Sequence, residues 1–169
     1  YYFRDRYQFL PEDGYTEMCT RMIDGIDLRL HCDFLSNRSE LACMAKRIVY
    51  SGAIDQLFDH CYGKLSYRSL RFEHELFEQT WYQPHAVINY CDADVPWTRI
   101  VEHKRFTNAA SLVTVITKEY SQSYDGVNDP FYPIADATNR KLSEKYLLHA
   151  KANGIIPIGR LGTFRYLDM

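Results

Sequence analysis

The sequence lacks the features that mark most secreted, membrane and nucleic-acid-binding proteins. Its five cysteines form no C-x-x-C pair, and an odd count suits a reducing compartment better than a disulfide framework. No apolar run approaches the roughly 20 residues that span a bilayer, and no signal-peptide pattern opens the chain. The formal net charge of −2 gives no electrostatic case for binding nucleic acid or an anionic membrane. We therefore expect a cytoplasmic protein with neither as a partner.

The motifs of several common enzyme classes are also absent. There is no G-x-G-x-x-G dinucleotide fingerprint, no P-loop, no G-x-S-x-G nucleophile elbow and no H-E-x-x-H zinc motif. His74 and the run Glu102-His103-Lys104 stand without metal-ligand spacing, so we expect no metal site. Free cysteines are usually small buried residues. We expect this of Cys19, Cys32, Cys43, Cys61 and Cys91.

Aromatic residues are abundant: they make up 15% of the 169 residues, including 14 tyrosines. This length corresponds to one domain with a substantial core. The chain begins with Tyr1 in place of methionine, and its last pattern stops abruptly at Met169. Both ends favour a segment of a longer protein.

Hydrophobic periodicity predicts helices on both sides of a strand-rich middle. The predicted helices are Tyr15–Ile23, Asn37–Lys46, Asp55–Cys61 and Asn139–Asn153. Short strands are predicted at Ile26–Leu30, Arg47–Tyr50 and Ile155–Ile158, and a turn at Gly159–Gly162.

Four segments of the middle are rich in β-branched and aromatic residues and have short polar connections. They are Ser66–Leu76, Pro84–Cys91, Pro96–His103 and Ser111–Tyr120. Since no helix separates them, we predict adjacent antiparallel strands. The fold class is α+β, with an antiparallel sheet of about six strands and flanking helices. The long loop Ser121–Ala137 that follows is typical of a functional segment.

Two arginines stand among apolar strand neighbours. Alternation puts Arg68 on the face of Leu70, and Arg99 on a face with Trp97 and Val101. A guanidinium in such a place needs a partner, because burying an unpaired charge is costly. The partner is either an internal Glu or Asp, or an anion such as phosphate, which the planar arginine fork grips through two nitrogens.

Tyrosines near loops and strand ends are a second indication of a ligand-binding site. They are Tyr7, Tyr67, Tyr90, Tyr124, Tyr132 and Tyr166. A flat apolar ring with a hydroxyl at its tip suits a sugar or a nucleobase, although it equally serves ordinary packing under loops. Composition and pattern alone thus indicate an α+β domain with an anionic, polar ligand.

Read as strings, several segments resemble one family. They include D-R-Y-Q at 5–8, R-I-V-Y-S-G at 47–52, Y-R-S-L-R-F-E at 67–73, A-V-I-N-Y at 86–90, V-P-W-T-R-I-V-E-H-K at 95–104, K-E-Y at 118–120, D-P-F-Y-P at 129–133, G-R-L-G at 159–162 and Y-L-D-M at 166–169. In this order and spacing the chain resembles the bacterial UDP-galactopyranose mutases over nearly its whole length.

The resemblance implies a larger, multidomain, FAD-dependent isomerase of cell-surface polysaccharide biosynthesis that interconverts UDP-galactopyranose and UDP-galactofuranose. In that family the flavin must be reduced, and its N5 attacks the anomeric carbon as UDP departs. The sugar ring opens on the flavin adduct and recloses as the five-membered form before UDP returns. Other implied partners are the rest of the mutase chain and, since the family is often oligomeric, further copies.

The resemblance carries site residues over one at a time. Arg99 matches the arginine that binds and stabilises the substrate diphosphate, which makes it the expected catalytic residue. The expected substrate-binding residues are Tyr7, Asn89, Arg99, Tyr132 and Tyr166. The expected cofactor-binding residues are Arg68, Gly159, Arg160, Tyr166, Leu167, Asp168 and Met169.

The chain departs from the family pattern in places. The differing residues are Phe9, Asp13, Trp97, Ile158 and Leu167. Ile158 stands where a second glycine is common, and glycine permits close backbone contact with a flavin. The family's N-terminal G-x-G-x-x-G region is absent from 1–169. We expect a substrate-binding sheet domain in which 47–62 and 154–169 complete the flavin domain, and we expect no activity from this segment alone, since it would not retain FAD.

Two alternatives stay open. One is a sugar-nucleotide or carbohydrate binding module without chemistry, which needs only Arg99 and the tyrosines. The other is a mutase that acts on the N-acetylated sugar nucleotide.

Overall fold

The computed structural model describes residues 6–7, 9–107 and 109–167. The chain divides into two units, Tyr1–Asp33 and Phe34–Met169. In the first unit, helix α1 (Gly14–Met22) follows a turn in which Gly14 N donates to Pro11 O over 3.1 Å. The predicted helix is confirmed, but none of its residues is buried.

The strand predicted at Ile26–Leu30 is wrong. These residues form turns and irregular structure, and their alternating apolar side chains are exposed. A strand exists only when another strand pairs with its backbone. Alternation alone therefore does not make one, and the described residues 6–7 and 9–33 of this unit contain no strand that could pair with it.

The second unit contains all of the strands that the structure describes. In chain order its elements are α2 (Arg38–Cys43), β1 (Ile48–Tyr50), α3 (Ile54–Leu57), β2 (Tyr67–Phe77), β3 (Val87–Asn89), β4 (Arg99–Glu102), α4 (Lys104–Thr107), β5 (Thr114–Ser123), β6 (Tyr132–Pro133), α5 (Ala137–Ala152), β7 (Ile155–Pro157) and α6 (Gly159–Thr163).

An antiparallel sheet forms the middle of this unit, in the order β3-β4-β5-β2-β6. The α+β class with flanking helices is confirmed, and the four segments predicted as strands supply β2 to β5. The expected adjacency is wrong for β2, which pairs with β5 and β6 and not with β3, the next strand along the chain. The sheet has five strands where about six were expected. Its fifth strand, β6, lies inside the segment Ser121–Ala137 that was expected to be a loop. Both edge strands are short, which limits unwanted pairing with other chains.

A second, smaller sheet consists of β1 and β7, which run parallel with Val49 opposite Ile156. It is separate from the antiparallel sheet. The main apolar core joins this pair to α3, α5 and the start of β2. Its buried members are Tyr50, Ala53, Ile54, Leu57, Phe58, Leu65, Tyr67, Tyr146, Ala150, Ile155 and Phe164.

The turn predicted at Gly159–Gly162 is wrong, because these residues begin helix α6. Gly159 has φ of +68°, a conformation that favours glycine. A Cβ on Gly162 would lie 2.7 Å from the Tyr50 carbonyl oxygen, so this glycine permits close packing of α6 on β1. Glycine at 159 is therefore explained by its backbone conformation and glycine at 162 by close packing, and neither by a tight turn.

The expectation that the cysteines are buried is also wrong, since all five are exposed. They lie on α1, at the end of α2 and in turns or loops, outside the strands that form the core. Within the described residues, no helix is long and apolar enough to cross a membrane.

Candidate functional site

The register of the antiparallel sheet places several predicted site residues on one face. Asn89 of β3 lies opposite Arg99 of β4, and Arg99 lies opposite Glu119 of β5. Directly opposed residues project to the same side of a sheet. At the other end, Arg68 of β2 lies opposite Tyr132 of β6. The sheet thus brings together side chains that are up to 64 positions apart in sequence, from Arg68 to Tyr132.

A hollow of about 400 Å³ opens on this face. Its lining consists of Arg68, Leu70, Thr98, Arg99, Glu119, Ser121, Tyr132, Pro133 and Tyr166. Three of the five predicted substrate-binding residues line it, together with Arg68, which was assigned to the cofactor. Asn89 lies next to Arg99 on the same face but does not line the hollow.

Arg99 has an internal partner in the sheet. Its Nε lies 3.3 Å from Oε2 of Glu119, as an ion pair without well-aligned hydrogen-bond geometry. The Arg99 side chain is 43% exposed and that of Glu119 only 15%. In the described part of the chain, nothing hydrogen-bonds to Nη1 or Nη2 of Arg99. Both alternatives for this arginine therefore coexist: it has an acidic partner, and its outer nitrogens are available to an anion.

Arg68 differs from Arg99. Its guanidinium forms no ion pair with any residue that the structure describes, and the residue is exposed. The hollow therefore contains two guanidinium groups and one carboxylate, which gives it a net positive charge. Such a site attracts a compact anion with several oxygens.

Two tyrosines and a third arginine border the hollow. The rings of Tyr132 and Tyr166 stack with centroids 5.9 Å apart and planes 22° from parallel. The Arg160 Cζ lies 5.2 Å from the Tyr132 centroid and 4.9 Å from that of Tyr166. Arg160 Nε donates to the Leu167 carbonyl oxygen over 2.6 Å. The guanidinium therefore holds both rings through cation–π contacts and fixes the chain that follows α6.

Arg160 also lines a second hollow, of about 420 Å³. It is lined by Ser51, Pro130, Phe131, Gly159, Arg160, Leu161 and Leu167. Three predicted cofactor-binding residues, Gly159, Arg160 and Leu167, are among them. Asp168 and Met169 lie outside the described residues.

Trp97 does not share the face of Arg99, contrary to the alternation argument. Its ring lies 4.8 Å from Lys118 Nζ and has its centroid 6.3 Å from that of Tyr120. Residues 118 and 120 of β5 project to the side opposite Glu119. Trp97 precedes the first residue of β4. The period of two therefore does not extend to it.

Tyr7 lies in the first unit, whereas the two hollows lie in the second. The assignment of Tyr7 to the substrate stays a prediction.

Glu102, the last residue of β4, has a buried carboxylate to which the sequence analysis gave no role. Glu102 is fully buried and accepts from Thr114 Oγ1 over 2.7 Å, Tyr82 N over 2.9 Å and Gln83 N over 3.1 Å. Its Oε2 also lies 3.2 Å from Arg105 Nε. Burial by itself raises the pKa of this carboxyl, but the hydrogen bonds outweigh it and lower the pKa below its ordinary value.

Further along the site face, Thr117 joins two histidines. Its Oγ1 lies 2.8 Å from His74 Nδ1 and 2.6 Å from His103 Nε2. Sequence reasoning treated both histidines as isolated, because the register that brings them together is not visible in their spacing. Within the described residues, no group of three or more His, Cys, Asp or Glu side chains has an arrangement that could hold a metal ion.

Comparison with known proteins gives a consistent assignment. A family model described as UDP-galactopyranose mutase matches residues 1–166. The chain is 42% identical to a protein named "Probable UDP-galactopyranose mutase" from Klebsiella pneumoniae, over 99% of this chain and 44% of the relative. It is 38% identical to the dTDP-fucopyranose mutase of Escherichia coli, over 99% of this chain and 46% of the relative.

The UDP-galactopyranose mutase of Mycoplasma pneumoniae is 36% identical, over 96% of this chain and 44% of the relative. The chain thus spans less than half the length of these curated relatives. The family match nevertheless covers almost every residue of the chain and includes every lining residue of the two hollows except Leu167. The chain therefore belongs to the UDP-galactopyranose mutase family.

Proposed function

We propose that the whole protein is a flavin-dependent isomerase that interconverts UDP-galactopyranose and UDP-galactofuranose, and that this chain supplies its diphosphate site. The main support is the convergence of Arg68, Arg99, Tyr132 and Tyr166 on one hollow. Family membership supplies the substrate class, and the residues of the hollow supply the chemistry that such a substrate needs.

The diphosphate is the part of the substrate that this hollow fits best. Within the described residues, the Arg68 guanidinium forms no ion pair. It and the outer nitrogens of Arg99 can bind phosphate oxygens through charge-assisted hydrogen bonds. A pyrophosphate that leaves the sugar gains negative charge. Fixed guanidinium groups stabilise that charge without having to reorganise during the reaction. Arg99 therefore binds the ground state and favours departure of the nucleotide.

The tyrosines complete the site. Tyr132 lies opposite Arg68 in the sheet, and Arg160 restrains its stack with Tyr166. Their hydroxyl groups can donate hydrogen bonds to phosphate or sugar oxygens, while their rings offer apolar surface to a sugar. We assign Asn89 and Tyr7 to the substrate on the family resemblance.

The second hollow fits one side of a flavin. Phe131, Leu161 and Leu167 give it apolar walls, and Gly159 leaves open space above its Cα. Gly159, Arg160 and the chain from Tyr166 to Met169 would hold the cofactor there, and we assign Arg68 to the cofactor on the family resemblance. When bound, reduced FAD supplies the nucleophile for the anomeric carbon.

The separate parallel pair β1–β7 supports the proposal that 47–62 and 154–169 complete a flavin domain. Two strands are too few for an independently stable sheet. Val49 and Ile156, which lie opposite each other, are 57% and 44% exposed. Further chain would cover this apolar surface in the whole protein. We accordingly expect the isolated segment to be inactive. On the family resemblance, we propose that the whole protein acts in the cytoplasm, in cell-surface polysaccharide biosynthesis.

The dTDP-fucopyranose mutase relative favours a second candidate substrate class. The compounds in its name and in that of the UDP-galactopyranose mutases are both nucleoside diphosphate sugars, but they differ in base and sugar. The hollow therefore supports the diphosphate and does not distinguish between these two sugar nucleotides.

The test compares two arginines of the same strand. Arg68 lines the hollow, whereas Arg71 lies on the opposite face, with its Cζ 3.8 Å from the Tyr120 ring centroid. In the whole protein, Arg68→Ala and Arg99→Ala should each weaken UDP binding about tenfold or more, since each loses hydrogen bonds between charged groups. Arg71→Ala should leave it unchanged. Equal losses in all three variants, or no UDP binding by the wild type, would contradict the proposal.

Activity is measured on the same variants. Whole protein with reduced FAD should interconvert the two UDP-sugars, and the Arg99→Ala variant should lose most of that turnover. UDP binding without any flavin-dependent turnover would favour a binding module. Turnover by the 169-residue segment alone would contradict its expected inactivity.

A further inference from the structure

The carboxylate of Glu119 lies beside the arginine that we assign to the diphosphate. The two residues are directly opposed in the β4–β5 ladder, and Glu119 Oε2 lies 3.3 Å from Arg99 Nε. Glu119 is the more buried of the two, with 15% of its side chain exposed against 43% for Arg99. The carboxylate therefore lies beside the guanidinium, on the less exposed side of the pair, where both line the hollow.

This contact determines which edge of the Arg99 guanidinium is available to bind an anion. An arginine can grip an anion through Nη1 and Nη2 or through Nε and one Nη. Arg99 Nε is shielded from solvent and lies against Glu119. Only the edge formed by Nη1 and Nη2 is left to an incoming ligand.

The backbone keeps the carboxylate in place. The Glu119 carbonyl oxygen accepts from Thr98 N over 2.8 Å and from Thr98 Oγ1 over 3.1 Å. These bonds fasten β5 to the residue that precedes Arg99. A long arginine side chain has many rotamers, and fixing it in one of them before the ligand arrives removes an entropic cost from binding.

We propose that Glu119 is a positioning residue: it holds Arg99 Nε so that Nη1 and Nη2 face the substrate diphosphate. This inference rests on the proposed function of the hollow. It adds a residue that neither the sequence analysis nor the family resemblance assigned. Glu119 itself does not bind the diphosphate, because its negative charge would repel that group.

Orientation and charge predict opposite results when Glu119 is changed. If Glu119 acted only through its charge, removing it would strengthen binding of an anion. If it orients Arg99, Glu119→Ala frees the guanidinium and weakens binding, whereas Glu119→Gln keeps an oxygen that can accept from Nε. The glutamine variant also relieves repulsion of the diphosphate.

The experiment measures UDP and uridine affinity of the whole protein by calorimetry. We expect Glu119→Ala to weaken UDP binding about tenfold, within the range for directly coupled residues. Glu119→Gln should stay within about threefold of wild type. Uridine, which lacks phosphate, should bind all variants alike. Glu73→Ala, on the opposite face of the sheet, is the matched control and should not change UDP affinity.

A double variant separates positioning from general damage to the sheet. In an Arg99→Ala background, adding Glu119→Ala should cause no further loss of UDP affinity, since nothing remains to be positioned. The inference is overturned if Glu119→Ala binds UDP as tightly as wild type. It is equally overturned if Glu119→Gln loses as much affinity as Glu119→Ala, or if the loss persists without Arg99. Wild-type protein that binds no UDP would instead refute the proposed function itself.

Discussion

At the scale of single residues, the two arginines of the hollow differ in their charged partners. Arg99 has an acidic partner at Nε, whereas Arg68 forms no ion pair within the described residues. Strand alternation predicted that both would face apolar neighbours and need a charged partner. The pairing with Glu119 was not predictable, because 20 positions separate the two residues and only the register opposes them.

Glu102 provides a prediction at this scale. Its carboxylate accepts four contacts in a buried position, from two backbone N–H groups, Thr114 and Arg105. Glu102→Gln should lower the free energy of unfolding at neutral pH by about 2–4 kcal/mol, because an amide cannot accept all of these bonds. Urea denaturation measures this change. Glu78→Gln, at an exposed site, is the control and should change it little.

The pH dependence of that loss has a definite sign. The pKa of Glu102 is lowered in the folded protein, so its stabilisation is present above the unfolded pKa of about 4.3. It is lost as the pH falls through the lower, folded value. The stability difference between wild type and Glu102→Gln should therefore shrink between neutral pH and about pH 3. A constant difference over that range would contradict this role.

At the scale of elements, the middle of the chain follows its sequence pattern closely. The four predicted strands form β2 to β5, because their alternating side chains suit a sheet with two different faces. The predictions that were wrong concern short segments. Ile26–Leu30 forms no strand, and Gly159–Gly162 begins a helix. Short patterns are compatible with several local structures, and the surrounding packing selects one.

Helix α5 offers a prediction at this scale. Its buried Tyr146 donates from Oη to the Gly63 carbonyl oxygen over 2.7 Å and accepts from Tyr62 N over 3.0 Å. Tyr146→Phe leaves both backbone groups without this partner, so the free energy of unfolding should fall by about 1–3 kcal/mol. Tyr62→Phe, whose side chain is partly exposed, is the control and should cost less than about 0.5 kcal/mol. Equal losses in the two variants would contradict the assignment.

At the scale of the whole molecule, two sheets of different kinds meet in the second unit. Helix α3 shares one apolar core with the parallel pair β1–β7 and is joined to the antiparallel sheet through Asp55, which is almost fully buried. Its carboxylate accepts from Tyr67 Oη and from Leu65 N, each over 2.9 Å. Burial, followed by the nearby charge of Asp55, raises the pKa of Tyr67 and keeps its phenol proton available for this bond.

Asp55→Asn tests this junction. Tyr67 Oη donates to Oδ1 and Leu65 N to Oδ2, and an amide keeps only one of these two acceptor oxygens. One donor then faces an NH2 group, so we expect a loss of about 2–4 kcal/mol in unfolding free energy. Hydrogen exchange should show that amides of β1 and β7 lose protection more than those at the centre of β2 and β5. Asp59→Asn, an exposed change, is the control. Protection that is lost uniformly across both sheets would contradict a localised junction.

The sequence by itself determined the α+β class, the segments that form the strands of the middle, the two arginines and the family to which the chain belongs. These properties depend on local periodicity and on residue strings, both of which are written in the chain. Only the tertiary structure decided that Glu119 faces Arg99, that Arg160 lies against Tyr132 and Tyr166, and that β1 pairs with β7. These depend on register and packing between distant segments, which backbone hydrogen bonds and close contacts select and which no local pattern encodes.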